Sequence, residues 1–462
     1  MAPKFGTSGL RGLVTELTPG LIAAHTRAYL AACETGAAVC LGRDLRPSSP
    51  RIAEDIAQAA LAAGTDVIDC GEIATPALAL AAAEAGAGAI MVTGSHIPAD
   101  RNGLKFYTIG GAEITKTDEG AILAALEQET RAVTPGTRRR DTDAGDRFIS
   151  RYRDAFGPEA LIGRRIGVYE HSAVGRAALC TILADLGAEV IALGRADHFI
   201  PVDTEAVDPD TRAQVAAWVT EHGLDALVST DGDSDRPLMA DETGCIVPGD
   251  ILGQITAELL GADVIVTPVS SNSGVLAKGF AEVRRTRIGS PYVIAGMAEA
   301  ARAVGYEANG GFLLGFEAQG PAGPLGPLIT RDCILPLIAP LVAAKGPLST
   351  RVAEEPAIFT AADRLQEVPL EASRALVARL TEDAAARKTF LEPLGVTEAG
   401  APDLTDGLRI PLTESRTLHI RPSGNAPELR LYVEANAPEA ATALLTAGLQ
   451  QLRETIDSAP TA

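Results

Sequence analysis

The feature that most limits how this chain can fold is a repeated local rhythm. An Ala/Leu-rich stretch leads through a glycine into a short Val/Ile-rich run, and the run stops at a polar loop. AAVCLGRD, GTDVIDCGE, GAGAIMVTGS, RIGVYEHS, GAEVIALGR, LDALVSTDGD and GADVIVTPVSS all end this way. Between them lie stretches such as RIAEDIAQAALAAG and GRAALCTILADLG, whose apolar residues recur at helical spacing. Strands alternating with helices predict α/β units with largely parallel sheets. Ligands then belong in the loops beyond the carboxyl ends of the strands, where the polar motifs of this chain fall.

With 462 residues, 46% of them hydrophobic, the chain can supply a core to three or four domains. The polar segment TRAVTPGTRRRDTDAG (130–145) reads as a linker, and the rhythm restarts near Ile162 and again near Gly261. A further break at 345–365 precedes RTLHIRPSGNAPELRLYVEA, whose alternation predicts antiparallel strands around a tight turn. The expected architecture is three similar α/β domains with mainly parallel mixed sheets and a smaller C-terminal α+β domain, spanning 1–147, 148–258, 259–357 and 358–462. The α/β restarts suggest diverged repeats, without the short fixed period of a solenoid.

A formal charge of −20 argues against a nucleic-acid or anionic-membrane partner, so an anionic substrate must meet local clusters of Arg and Lys. The six cysteines form no CxxC pair, which points to reduced thiols and a cytoplasmic setting. The start MAPKFGTSGLRG has no apolar signal-like region, and no run of 18 apolar residues occurs, so neither export nor membrane spanning is expected.

Several motifs can carry chemistry. DGDSDR (231–236) places three carboxylates at alternate positions after an apolar strand, where they can converge on a hard divalent cation. Asp231, Asp233, Asp235 and Glu242 also match positions of an EF-hand loop, but Arg236 stands where that loop needs glycine and a strand leads in where it needs a helix. A Mg²⁺ site fits better, with Arg236 free to meet a phosphate oxygen. RPSGNAPELR (421–430) combines a turn rich in backbone N–H groups with two arginines, a nest for a phosphate dianion or else a solvated hairpin turn. GRDLRPSS (42–49) offers Arg43 and Arg46 near a helix start, either for an anion or as surface arginines beside a cap. GAIMVTGSHIPADRNGLKFY (88–107) delivers Ser95, His96 and Lys105 to the mouth of a core strand. Ser95 is there a nucleophile or phosphate carrier, or a residue that caps backbone. A hydrolytic elbow is excluded because TGSHIP lacks the second glycine of GxSxG.

Taken together, and in this order, FGTSGLRG, VTGSHIPADRNGLKFY, DGDSDR and RPSGNAPELRLYVEA resemble the motifs of the α-D-phosphohexomutases, within them the phosphomannomutases, along nearly the whole chain. The resemblance implies four domains around a central cleft: a phosphoserine-loop domain, a metal-binding domain, a sugar-binding domain and a phosphate-binding domain. It implies that Ser95 carries the phosphate, that Arg11 contacts phosphate, and that His96 or Lys105 moves protons or neutralises charge. Asp231, Asp233 and Asp235, with Ser95, would hold Mg²⁺. Arg236, Glu307, Asn309, Arg421, Ser423, Gly424, Asn425 and Arg430 would bind substrate. The implied reaction interconverts mannose 6-phosphate and mannose 1-phosphate through a 1,6-bisphosphate, with glucose or mannose 1,6-bisphosphate as activator and a phosphosugar as the partner of a monomer or homodimer. Phosphoglucomutase and phosphoglucosamine mutase are the near alternatives, and a non-catalytic sugar-phosphate-binding regulatory protein is the distant one.

This chain departs from the family pattern at named places. The sugar loop is usually Gly-Glu-x-Ser-Gly/Ala-His, whereas GYEANGGFLL keeps Glu307 but has Asn309 for the serine and Gly311 for the histidine. Gly94 and Ile97 flank the serine where Ala and Asn are usual, Ser234 replaces a glycine in the metal loop, and Asn425-Ala426 replaces Thr-Glu. RTRIGSPYV (285–293) and TRDCILP (330–336) resemble further segments lining the cleft, with Arg287, Ser290 and Tyr292 as secondary contacts.

Overall fold

Each apolar run of the rhythm becomes a strand, interior to its sheet except for Glu189–Leu193, which lies half-buried at the edge of the second. A computed structural model describes residues 3–6, 9–127, 134–423 and 427–458. The first sheet runs, in spatial order, Lys4–Phe5, Leu10–Leu13, Arg101–Tyr107, Gly88–Val92, Ala38–Arg43, Asp66–Glu72 and Arg138–Arg140. Gly88–Val92 is buried at every residue, as a short apolar run between covered faces should be. The strands Ala38–Arg43 and Gly88–Val92 are parallel, and Arg101–Tyr107 then returns antiparallel to Gly88–Val92.

The second sheet repeats this plan. Arg165–Tyr169 and Ala226–Thr230 are parallel, and Pro237–Asp241 returns antiparallel to the latter. In the third, Val264–Pro268 and Ala303–Tyr306 are parallel and Phe312–Leu314 returns. Parallel strands joined by helical crossovers thus end, in all three α/β domains, in a hairpin. The motif loops sit in those hairpins, between Val92 and Arg101, Thr230 and Pro237, and Tyr306 and Phe312. Both arms of each loop are held by ladder hydrogen bonds.

The C-terminal sheet is antiparallel throughout: Phe359–Gln366, Glu428–Ala435, Arg416–Pro422 and Leu408–Leu412. Its apolar face is closed by Leu376 and Leu380 of the helix Leu370–Glu382 and Leu444 and Leu452 of Pro438–Asp457. Here too the phosphate-type motif lies in a hairpin connection, between Pro422 and Glu428.

Segment 130–145, expected to be a linker, is in part structured. Arg138–Arg140 forms an exposed edge strand, and Arg138 pairs with Glu54 at 2.7 Å and Asp69 at 2.8 Å. An edge needs only backbone pairing, and charge on it blocks further strand addition. Helix Ala144–Phe156 follows directly.

Two compact units divide the chain, residues 1–266 with 289–354 and residues 267–288 with 355–462. Among the described residues no helix is long and apolar enough to cross a membrane. Within the larger unit, Tyr152 Oη donates to Asp332 Oδ2 at 2.6 Å in a dry setting, while Asp332 Oδ1 accepts from Ile334 N at 2.8 Å and so starts the helix Leu335–Ala343. Tyr152→Phe keeps the ring and removes the donor, leaving a buried carboxylate oxygen short of a partner. Its urea midpoint is expected to fall by the equivalent of about 2 kcal/mol.

Candidate active site

The hairpin loops of the larger unit bring their side chains to one buried cluster. Cross-strand pairing of Met91 with Lys105 sets the lysine beside the strand that carries Ser95. Lys105 Nζ donates to Asp233 Oδ2 at 2.6 Å and Asp235 Oδ2 at 2.5 Å. Ser95 Oγ donates to Asp231 Oδ2 at 2.6 Å and lies 3.2 Å from His96 Nδ1. Arg236 Nη1 donates to the same His96 Nδ1 at 2.8 Å, which fixes that nitrogen as an acceptor. Burial and then the Arg236 charge push the imidazole down to about 3, so His96 is neutral.

Both reactive loops hold strained backbone. Ser95 has φ +52° and Ser234 has φ +56°, the left-handed region that non-glycine residues rarely occupy. Ser95 N donates to Thr93 Oγ1 at 2.7 Å. Ser234 replaces a glycine at little cost because its Oγ accepts from Gly175 N at 2.9 Å and meets Thr230 Oγ1 at 2.9 Å. Asp231 Oδ1 accepts from Asp235 N at 3.1 Å and Arg236 N at 3.3 Å, which folds the loop over its own carboxylate.

The three aspartates can each offer an oxygen within 4.8 Å of the others, and all are buried. Asp233 Oδ1 and Asp235 Oδ1 have no hydrogen-bond partner. Burial pushes Asp231 up to about 8, and the neighbouring Asp233 and Asp235 charges push in the same direction. Burial would also raise Asp233, but the Lys105 ammonium holds it below the ordinary range. Buried carboxylate oxygens without donors, in an all-oxygen set, suit Mg²⁺.

Positive charge gathers beside them. Arg11 is pushed down to about 10, first by burial and then by the neighbouring Arg236 and Arg331 charges, with Asp233 and Asp235 acting against them. Glu307 lies 5% exposed, with Oε2 lacking a hydrogen-bond partner and burial raising its carboxyl. Asn309 Oδ1 accepts from Gly311 N at 3.0 Å, so part of its capacity goes to shaping its own turn.

Four participants escaped the sequence reading of the site. Arg331 places Nη2 2.9 Å from Asp235 Oδ2 and 3.2 Å from Glu113 Oε1. Glu113 Oε2 accepts from Ser290 Oγ at 2.7 Å, which ties up one of the expected secondary contacts. Thr75 Oγ1 donates to Asp233 Oδ2 at 2.6 Å. Arg46, considered as an anion contact or a surface residue, is neither: it is 1% exposed, and its fork donates to the carbonyls of Ser95, Ile97, Pro98 and Arg101 at 2.6–2.9 Å. Asp44 lies 3.2 Å from its Nε, and Phe199 stacks on the guanidinium. A Cβ at Gly94 would come within 2.6 Å of Arg46 Cζ, which explains glycine in the residue before Ser95. The arginine therefore sets the path of the serine loop.

In the smaller unit, Arg421 pairs with Asp406 Oδ2 at 2.9 Å, and Ser423 N donates to Glu428 O at 2.9 Å to close the hairpin. Gly424 and Asn425 lie outside the described residues. Arg421 stands directly across from Arg430, and Arg430 across from Arg364, an arginine the motif did not reveal. Like charges side by side on a sheet are unfavourable unless answered, and Glu428 answers these, 3.3 Å from Arg364 and 3.5 Å from Arg430. His419, two residues before Arg421, is buried, donates through Nε2 to Asp406 O at 2.6 Å and stacks on Tyr432.

Fold and buried cluster together define a phosphoryl-transfer enzyme of the α/β class. Family models for the phosphoglucomutase/phosphomannomutase α/β/α domains I, II and III match residues 2–133, 147–244 and 240–357, and the C-terminal domain model matches 351–449. A phosphomannomutase of Sinorhizobium fredii is 48% identical over 99% of this chain and 100% of its own. One of Salmonella muenchen is 42% identical over 99% and 97%. A phosphoglucosamine mutase of Saccharopolyspora erythraea is 31% identical over 95% and 96%. Among solved structures, a family protein of Burkholderia thailandensis superposes with a TM-score of 0.79 at 21% identity, covering 98% of both chains. The chain belongs to the phosphoglucomutase/phosphomannomutase family, the α-D-phosphohexomutases. It is an enzyme, and its reaction is the family's intramolecular relocation of a phosphoryl group on a hexose by way of a phosphoserine and a sugar bisphosphate.

Two predictions follow the geometry. Arg46→Lys keeps the charge but cannot span several carbonyls, so turnover is expected to fall roughly tenfold through a misplaced Ser95. Steady-state kinetics beside a melting curve will show whether the loss exceeds what unfolding explains. In the smaller unit, burial pushes His419 down to about 4. The unfolded chain takes up that proton near pH 6.5, so this contribution is full above 6.5 and is lost as pH falls towards 4, by about 3 kcal/mol. Denaturation midpoints from pH 8 to 4 should fall more steeply for wild type than for His419→Gln.

Proposed function

We propose that the enzyme is a phosphomannomutase that interconverts mannose 6-phosphate and mannose 1-phosphate with phospho-Ser95 as the resident donor. The observation that carries the role of Ser95 is its position: a strained serine whose Oγ touches Asp231 Oδ2 at 2.6 Å, at the edge of the buried aspartate cluster. The mannose reading draws on the two phosphomannomutases at 48% and 42% identity, against 31% for the phosphoglucosamine mutase.

In this reading a hexose phosphate cannot pass its own phosphate across the ring, so a second phosphate must already be in hand. The phosphoryl group on Ser95 moves to the free hydroxyl, breaking the Ser95 O–P bond and forming the sugar O–P bond, while the hydroxyl's proton ends on the departing Ser95 Oγ. The bisphosphate turns end for end, and its other phosphate returns to Ser95 Oγ. Asp231, Asp233 and Asp235 would hold Mg²⁺, which when bound offsets phosphate charge. Arg11 and Arg236 supply fixed positive charge where the phosphate sits; an arginine stays protonated and so acts electrostatically. Lys105, engaged with two carboxylates, keeps the aspartate loop at its charge balance, while neutral His96 accepts from Arg236 Nη1 and so holds that guanidinium beside Ser95. Glu307 and Asn309 read sugar hydroxyls, and the hairpin of Arg421, Ser423 and Arg430, with Gly424 and Asn425, grips the phosphate that is not reacting. Domain limits at 147, 258 and 357 accompany this assignment of parts.

The test is a coupled assay with Mg²⁺ and a trace of sugar 1,6-bisphosphate, offering mannose, glucose and glucosamine 1-phosphates separately to wild type and Ser95→Ala. Preference for mannose, with turnover reduced at least about 10³-fold in the variant, is expected. Preference for glucose or glucosamine would overturn the sugar assignment, and an active Ser95→Ala would overturn the role of the serine.

A further inference from the structure

The sugar loop and the strand Leu328–Asp332 make an unusual contact. A Cβ built on Gly311 would lie 2.7 Å from both Cγ and Cδ of Arg331 and 3.0 Å from its Cβ. The bare backbone at 311 is therefore what allows the Arg331 stem to pass. That stem carries a guanidinium to three carboxylates: Asp235 of the metal loop at 2.9 Å, Glu113 beyond the strand Arg101–Tyr107 at 3.2 Å, and Glu307 Oε2 of the sugar loop at 3.8 Å. Arg331 is 2% exposed and Glu307 5%. A carboxylate so buried needs a cation to remain ionised, and Glu307 Oε2 has no hydrogen-bond donor of its own.

We infer that Arg331 is a positioning residue for substrate recognition: through the space left at Gly311 it holds Glu307 ionised and aimed for the sugar, and ties that carboxylate to Asp235 of the metal loop. The inference rests on the reading of Glu307 as a sugar contact. It gives the altered loop a working logic. A planar fork reaches several carboxylates at once, which a single point charge does not. Arg331 itself is too enclosed to meet the sugar and acts through Glu307.

The experiment is a double-mutant cycle on the full-length phosphorylated enzyme: wild type, Arg331→Met, Glu307→Gln and the double variant. Each is assayed with whichever of the three hexose 1-phosphates wild type converts best, and each is titrated with Mn²⁺ alone by calorimetry. Either single variant is expected to raise KM roughly tenfold with a smaller change in kcat, the signature of lost substrate binding. The double variant should be no worse than the poorer single within about twofold, because both changes remove one interaction. Mn²⁺ affinity should be kept or tightened in Arg331→Met, since a cation beside Asp235 is gone. Arg331→Lys should recover part of the KM. Losses that multiply in the double variant would overturn the inference, as would Mn²⁺ affinity lost in step with kcat. If Arg331→Met fails to fold, Gly311→Ala decides: its methyl group displaces the Arg331 stem, and a raised KM at nearly constant kcat is expected, whereas an unchanged KM overturns the proposal. The cycle uses the preferred hexose whatever it is, so an incorrect mannose assignment and an incorrect role for Arg331 give different results.

Discussion

Three buried aspartates on one short loop would repel one another apart if nothing answered their charge. Lys105, brought alongside by the strand pairing of Met91 with Lys105, bridges Asp233 and Asp235, and Arg331 reaches Asp235 from the third α/β domain. This ion network costs desolvation, and it is tolerated because each member is met by several others. Much else depends on it. The serine loop must lie where Ser95 can touch Asp231, the sugar loop must lie where Arg331 can pass, and the hairpins must therefore meet at their tips.

A second constraint is backbone shape. Ser95 at φ +52° is held by Thr93 below and by the Arg46 fork around it, so the strain at this serine is carried by a buried cation that touches no acid of the cluster itself. The metal loop achieves the same with Ser234, whose hydroxyl repays its left-handed backbone through Gly175 and Thr230. Different side chains thus support one kind of turn in two successive domains.

The α/β rhythm, the repeats and the antiparallel C-terminal part were legible because strand and helix periods are local properties of the chain. Ser95, Lys105 and the aspartates were legible as motifs, and the structure brings them together. Arg46 and Arg331 were not. Each sits in a short motif that had been noticed, GRDLRPSS and TRDCILP, but its partners lie 49 or more residues away for the Ser95 carbonyl and 96 for Asp235, and no local pattern announces them. The one available signal was an arginine inside a run otherwise destined for burial, LITRDCIL, since such a residue must find carboxylates or carbonyls. The edge strand Arg138–Arg140 was hidden for the opposite reason: it gives no apolar side chain to the core, so its composition reads as a linker.

That the loops after Val92, Thr230 and Tyr306 each close a hairpin has a consequence for how such a chain can change over time. A loop anchored on both sides by paired strands can exchange side chains, as at Ile97, Ser234 and Asn309, while the ladder keeps its alignment; Gly94 and Gly311 are held to glycine by Arg46 and Arg331. One residue inserted within a flanking strand would instead shift its alternation and turn its buried face outward. The architecture therefore fixes the register of the strands and leaves the lettering of the loops open, so that the tips can change by substitution without disturbing the sheets that hold them.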